Sequence, residues 1–171
     1  ESAENSSTDF TYTSLTAMVM SPTELSWAPS TLQDRDTGAT ENPITINNTG
    51  NAESLQINFT AFNLQGVDTT TQFIYAENFT VSDTASGCSG DSLVNATEVS
   101  ITSAVLERGN NTIAAGDSTS GQEEIYVCLK ELPADISSQD YTSTAYGSWE
   151  IEVWFVPAVV ARKRKKKKKK E

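Results

Sequence analysis

The chain has 171 residues, 37% of them apolar and 20% charged, a length that suits one domain with a substantial core. Its 22 Thr and 20 Ser, about a quarter of the chain, favour strands with solvated outer faces and polar turns, and argue against long helices. Charge is split: residues 1–161 carry Arg35, Arg108 and Lys130 against 22 acids, whereas residues 162–171 carry nine basic residues and Glu171, so the body should repel nucleic acid and anionic lipid.

In chain order, residues 1–8 are a polar leader that reads as a mature terminus left by signal-peptide cleavage. Residues 9–161 form a single predicted β domain. Asp9–Met20 is its first strand, with Phe10, Tyr12, Leu15, Ala17 and Val19 as apolar positions, and Pro22 ends it. Asp34-Arg35-Asp36-Thr37-Gly38 spaces two carboxylates as a calcium loop would, but the remaining ligands are missing, so a polar turn without metal is expected. Pro43–Asn48 is a short strand closed by the turn signal Asn48-Thr49-Gly50-Asn51. Glu53–Leu64 shows the cleanest alternation, Leu55, Ile57, Phe59 and Ala61 against Gln56, Asn58 and Thr60.

Four further runs follow. Thr71–Val81 places Phe73, Tyr75, Phe79 and Val81 on one face, and Leu93–Leu106 places Val99, Ile101 and Val105. Gln122–Leu132 carries Ile125, Val127 and Leu129, and Ser148–Val156 carries Trp149, Ile151, Val153 and Phe155 opposite Glu150 and Glu152. A short helical turn fits Pro133–Ser138. Seven period-two runs predict an all-β, antiparallel Ig-like or jelly-roll-like sandwich with an extended N-terminal strand and a basic C-terminal tail.

Cys88 and Cys128 are the two cysteines, and in an exported chain they should pair; closing that loop stabilises by about 4 kcal/mol in the chain-entropy treatment. Six sequons begin at Asn5, Asn47, Asn58, Asn78, Asn95 and Asn110, where chance would place roughly three, so N-glycans are expected. Asn58 should face solvent from the outer phase of its strand, and Asn47 and Asn110 should lie in turns. With no His and no phosphate loop, nucleophile elbow or zinc motif, no catalytic residue or cofactor is assigned. No apolar run reaches ~18 residues, so no membrane span is expected.

Leu25-Ser26-Trp27, then Asn42 through Ala52, then Ala61-Phe62-Asn63-Leu64, resemble a pattern in secreted archaeal surface proteins, among them bundling pili and the related TasA-type biofilm fibres. The resemblance spans roughly residues 10–65. It implies a sandwich subunit that donates a strand to its neighbour in a homopolymer. Residues 9–20 are the candidate donor, with Phe10, Tyr12, Leu15, Ala17 and Val19 in the neighbour's groove; pairing within the chain is the other outcome. The tail, residues 162–171, offers a clasp in which Lys165, Lys166, Lys167, Lys168, Lys169 and Lys170 meet the acidic body of another copy. The alternative is a monomeric adhesin or carbohydrate-binding module stacking sugar on Trp27 or Trp154.

Overall fold

Strict alternation of apolar and polar residues lets a strand bury one face, and the clearest alternation in this chain forms the middle of a sheet. The computed structural model describes residues 13–29, 31–85, 87–107 and 121–155. In it β4 (Leu55–Ala61) lies between β9 (Thr97–Leu106) and β12 (Glu150–Phe155), antiparallel to both. Leu55, Ile57, Phe59 and Ala61 all point into the core.

The opposing sheet is built around β10 (Gln122–Glu131), the second long strand. On one side β10 pairs with β7 (Phe79–Ser82), which in turn pairs with β8 (Asp91–Ser92). On its other side two strands share its length. Gln122–Ile125 pair with β3 (Ile44–Asn48), and Cys128–Glu131 pair with β2 (Arg35–Gly38). Where the chain leaves the ladder between β2 and β3, Asn42 replaces the missing backbone. Its Nδ2 donates to Val127 O at 2.8 Å and its Oδ1 accepts from Val127 N–H at 3.0 Å. The outer neighbour of β3 is β1 (Met18–Ser21).

A small third sheet of β5 (Leu64–Gly66), β6 (Phe73–Ile74) and β11 (Tyr141–Thr142) closes one end. Among the described residues the helical content is one 3₁₀ turn, Ala76–Asn78. The core joins both large sheets: Ile46, Phe79, Val81, Ile125, Val127 and Leu129 face Leu55, Ile57, Phe59, Ile101, Ala104 and Leu106. The chain is thus an antiparallel all-β sandwich, as its periodicity predicts.

Several boundaries differ from the sequence expectation, each for a physical reason. Asp34–Gly38 supplies strand β2 rather than a free turn; Arg35 opposes Glu131 in the ladder and pairs with its carboxylate at 2.7 Å. Thr71–Val81 is not one strand, because the 3₁₀ turn breaks it and leaves Tyr75 exposed while Phe79 and Val81 are buried. In β9 a bulge opposite Gln56/Ile57 inserts three extra residues, so the inward phase flips from Val99 and Ile101 to Ala104 and Leu106. Val105 therefore does not point inward with Ile101. Pro133–Ser138 is a turn without helix.

Candidate functional site: a clipped face, an open edge and the sequons

Cys88 and Cys128 form a disulfide, with Cα atoms 5.2 Å apart and a sequence separation of 40. Ile125, Val127 and Leu129 fill the core, so the even-numbered Tyr126, Cys128 and Lys130 line the outer face of β10. The β7–β8 connection therefore reaches across that outer face to Cys128. Lys130 Nζ donates to Ser92 Oγ at 3.3 Å beside it. Gly90 makes the approach sterically feasible, since a Cβ there would stand 2.1 Å from Val81 O.

The N-terminal strand pairs within its own chain. Met18 to Ser21 match Asn48 to Thr45, and the ladder continues irregularly into the turn. Thr49 N–H donates to Ala17 O at 3.0 Å and Asn51 N–H to Leu15 O at 3.0 Å. Asn51 Nδ2 adds a bond to Thr13 O at 2.8 Å. Gly50 is required here, because a Cβ would lie 2.1 Å from Leu15 O. Met18 and Met20 pack on the core, whereas Leu15 and Val19 are exposed. Of the apolar positions named from sequence, Leu15 and Val19 thus lie on the outward side of the cis strand, and Ala17 is half-buried. Phe10 and Tyr12 lie outside the described residues, as does the tail with Lys165–Lys170.

The sequons separate clearly. Asn58 does occupy the outer phase of β4, yet it is only 6% exposed, and its Oδ1 accepts from Ser100 Oγ at 2.8 Å. The expectation that Asn58 faces solvent is thereby corrected: a middle strand's outer face is covered by side chains from both flanking strands. Asn47 lies in strand β3 between Val19 and Gln122, not in a turn, and is half-buried. The turn itself is anchored by the next residue, Asn48, whose Nδ2 donates to Ala52 O and Glu107 O, both at 2.7 Å. Asn95 is half-buried, with Oδ1 accepting from Asn63 N–H at 2.9 Å. Asn78 ends the 3₁₀ turn, and its Oδ1 accepts from Tyr75 N–H at 3.2 Å. Asn5 and Asn110 lie outside the described residues.

Of the two tryptophans considered for sugar stacking, Trp27 is half-buried and packs against the core. Its ring meets Phe79 at 4.9 Å and Trp149 at 5.4 Å between centroids, and Phe59 meets Trp149 at 5.8 Å. Trp149 Nε1 donates to Phe62 O at 2.8 Å, while the buried Nε1 of Trp27 has no partner among the described residues. Segment 22–29 is pinned by Glu41, whose carboxylate accepts from Ser26 N–H and Oγ, both at 2.6 Å; these bonds hold the Glu41 carboxyl below its ordinary range. An open cleft of about 1060 Å³ runs between this segment and residues 136–149, with Trp27, Phe79 and Trp149 among its walls.

Trp154 and Phe155, by contrast, are 54% and 59% exposed at the end of β12. That strand has a neighbour on one side only, β4, and its other side is open among the described residues. Sequence reasoning named both residues as part of a strand but had no signal that this strand lies at an edge. Among the described residues no three His, Cys, Asp or Glu side chains are grouped to hold a metal ion, and no helix is long and apolar enough to cross a membrane. Compared with protein-family models, with curated proteins and with solved structures, the chain matches none.

Proposed function

We propose that this chain is a structural subunit of an extracellular filament or cell-surface lattice, N-glycosylated and assembled by strand addition between copies. The observation that carries the reading is β12. Six residues, Glu150–Phe155, ladder with β4 on one side and leave the other side open, and the strand ends in two exposed aromatics. A long edge with exposed apolar residues is a template for another strand, whereas monomeric proteins blunt such edges. The disulfide suits an oxidising exterior. The resemblance of residues 10–65 to archaeal fibre and pilus proteins points the same way.

Trp154→Lys combined with Phe155→Lys tests this without touching the core, since both side chains are exposed. The wild-type chain should form oligomers or filaments in sedimentation velocity and negative-stain images, and the double variant should remain monomeric. A wild type that stays monomeric at high concentration sinks the proposal.

Strand exchange is tested separately at a known register. Val19 opposes Asn47, so Val19→Cys with Asn47→Cys reports where the first strand lies. A crosslink within one chain means cis pairing in the assembly; a ladder of crosslinked multimers means residues 9–20 are donated. The tail would add an electrostatic clasp between copies, because its nine basic residues are opposite in charge to a strongly acidic body. Removing residues 162–171 should then weaken assembly at low salt and leave it unchanged at high salt, as screened surface pairs require.

A second reading, a monomeric adhesin or carbohydrate-binding module, draws on Trp154 alone. Its exposed indole, with Nε1 3.4 Å from Glu152 Oε2, has the aromatic face and polar rim that sugars stack on. Glycan-array binding by a monomeric wild type would favour it.

A further inference from the structure

One aromatic patch is absorbed by neither the core nor the β12 edge. Tyr75 is 52% exposed, and its ring stacks on Phe73 with centroids 6.0 Å apart and planes 26° apart. Tyr146, also exposed, meets Phe73 edge-on at 5.8 Å. Exposed, mutually packed rings need an explanation, and the sequon three residues beyond Tyr75 supplies one. Tyr75 is the extended N-cap of the 3₁₀ turn and Asn78 its last residue, so the two bracket it. The turn is closed by Asn78 N–H donating to Tyr75 O at 2.9 Å, and the Asn78 side chain returns a bond from Tyr75 N–H.

We propose that Asn78 carries an N-linked glycan whose first sugar packs on the Tyr75 ring. This rests on the glycoprotein reading above and specifies it. Chemically, C1 of a polyprenyl-phosphate-linked sugar bonds to Nδ2, the phosphate leaves with its lipid, and one amide proton is released. The amide keeps one N–H. Like a trans peptide, the substituted amide places the new carbon on the side of its oxygen. Asn78 Oδ1 is held at the Tyr75 backbone, so the sugar departs toward Tyr75. The remaining N–H, anti to Oδ1, can keep the 3.3 Å bond from Nδ2 to Glu131 O. The apolar face of a pyranose then covers the ring, with Phe73 behind it as support.

The test uses the full chain made in an N-glycosylating host and in a host that lacks the machinery, as wild type, Tyr75→Phe and Tyr75→Ala. Glycopeptide mapping should find sugar at Asn78. Glycosylation should raise Tm in the wild type and in Tyr75→Phe, and the gain should fall by about half or more in Tyr75→Ala. Protons of the Asn78-linked sugar should shift upfield over the ring, and the shift should vanish in Tyr75→Ala. A bare Asn78 with sugar at Asn47 or Asn95 overturns this inference and leaves the glycoprotein reading standing. Bare asparagines at all sequons overturn both. Sugar at Asn78 with no Tyr75-dependent shift or Tm gain overturns the platform.

Discussion

The two middle strands, β10 and β4, have the same inward face and different outer ones. Each buries alternate residues, Ile125, Val127 and Leu129 in one and Leu55, Ile57, Phe59 and Ala61 in the other. Outside, β10 is covered covalently, by a loop fastened at Cys88–Cys128. The outer face of β4 has no covalent cover: Gln56 Nε2 reaches Ile101 O at 2.6 Å between Val105 and Trp154, and Asn58 meets Ser100. Burying a polar group is tolerable when its hydrogen bonds are met, and both solutions meet them. The difference shows that polar residues on a strand do not mark a solvent face once that strand has two neighbours.

The largest test removes what the two strands share. Phe59→Ala empties a fully buried site between the sheets, next to Trp149, and should cost about 3–5 kcal/mol in denaturant unfolding. If the sheets form one cooperative unit, probes on β10 and β4 should lose structure at the same denaturant concentration. Separate transitions would break the comparison, since the outer faces would then belong to independent units.

Next is the covalent cover. Cys88→Ser with Cys128→Ser should lower stability by about 2–4 kcal/mol, because the unfolded chain regains a loop spanning 40 residues. Hydrogen exchange should quicken around residues 83–90 and at Tyr126–Lys130, and hardly change at Asn58. Equal quickening on both sheets would mean that the clip holds the sandwich as a whole rather than one face.

Two asparagines sharpen the contrast at smaller scale. Asn42→Ala strips the buried Val127 N–H of its partner, while Val127 O keeps the bond from Ala39 N–H, and should cost about 2 kcal/mol. Asn58→Ala loses one bond to an exposed serine and should cost about 1 kcal/mol, where a solvent-facing residue would cost nothing. Indistinguishable wild-type stability in Asn58→Ala would mean the outer face of β4 is effectively solvated.

These residues also mark what was legible in the sequence. The inward faces of β4 and β10 were readable because two-residue periodicity depends only on the strand itself; in β12 Ile151 and Val153 follow it, but Phe155 is exposed where the strand runs past the core. The burial of Asn58 was not, because it is imposed by β9 and β12, which are distant in sequence. Strand β2, Arg-Asp-Thr-Gly, has no apolar residue to give a period, and it is held by pairing with β10. The flip in β9 came from a bulge that no composition announces. Trp27 could be read as exposed or buried with equal ease, and its partners Phe79 and Trp149 lie 52 and 122 residues away. The edge position of β12 is a property of topology, and topology was not legible in periodicity.

The smallest effect concerns Glu123, where the inward face of β10 runs out of core. Antiparallel partners point to the same side, and Glu123 opposes the buried Ile46, so its carboxyl is turned toward the sandwich interior. Burial, and then the nearby Asp83 carboxylate, raise its pKa above the ordinary 4.5. The folded state therefore holds a proton that the unfolded state has released, and stability falls as pH rises from about 4.5 through the raised value. Glu123→Gln removes that charge and keeps the shape. The variant should melt slightly higher than wild type at neutral pH, and the two should converge below pH 4.5, where Glu123 is protonated in both states. Thermal unfolding of both proteins across this pH range decides it. A variant less stable than wild type at neutral pH would mean that the charged carboxylate is held by favourable contacts, and that the interior of β10 is polar further along the strand than its alternation indicates.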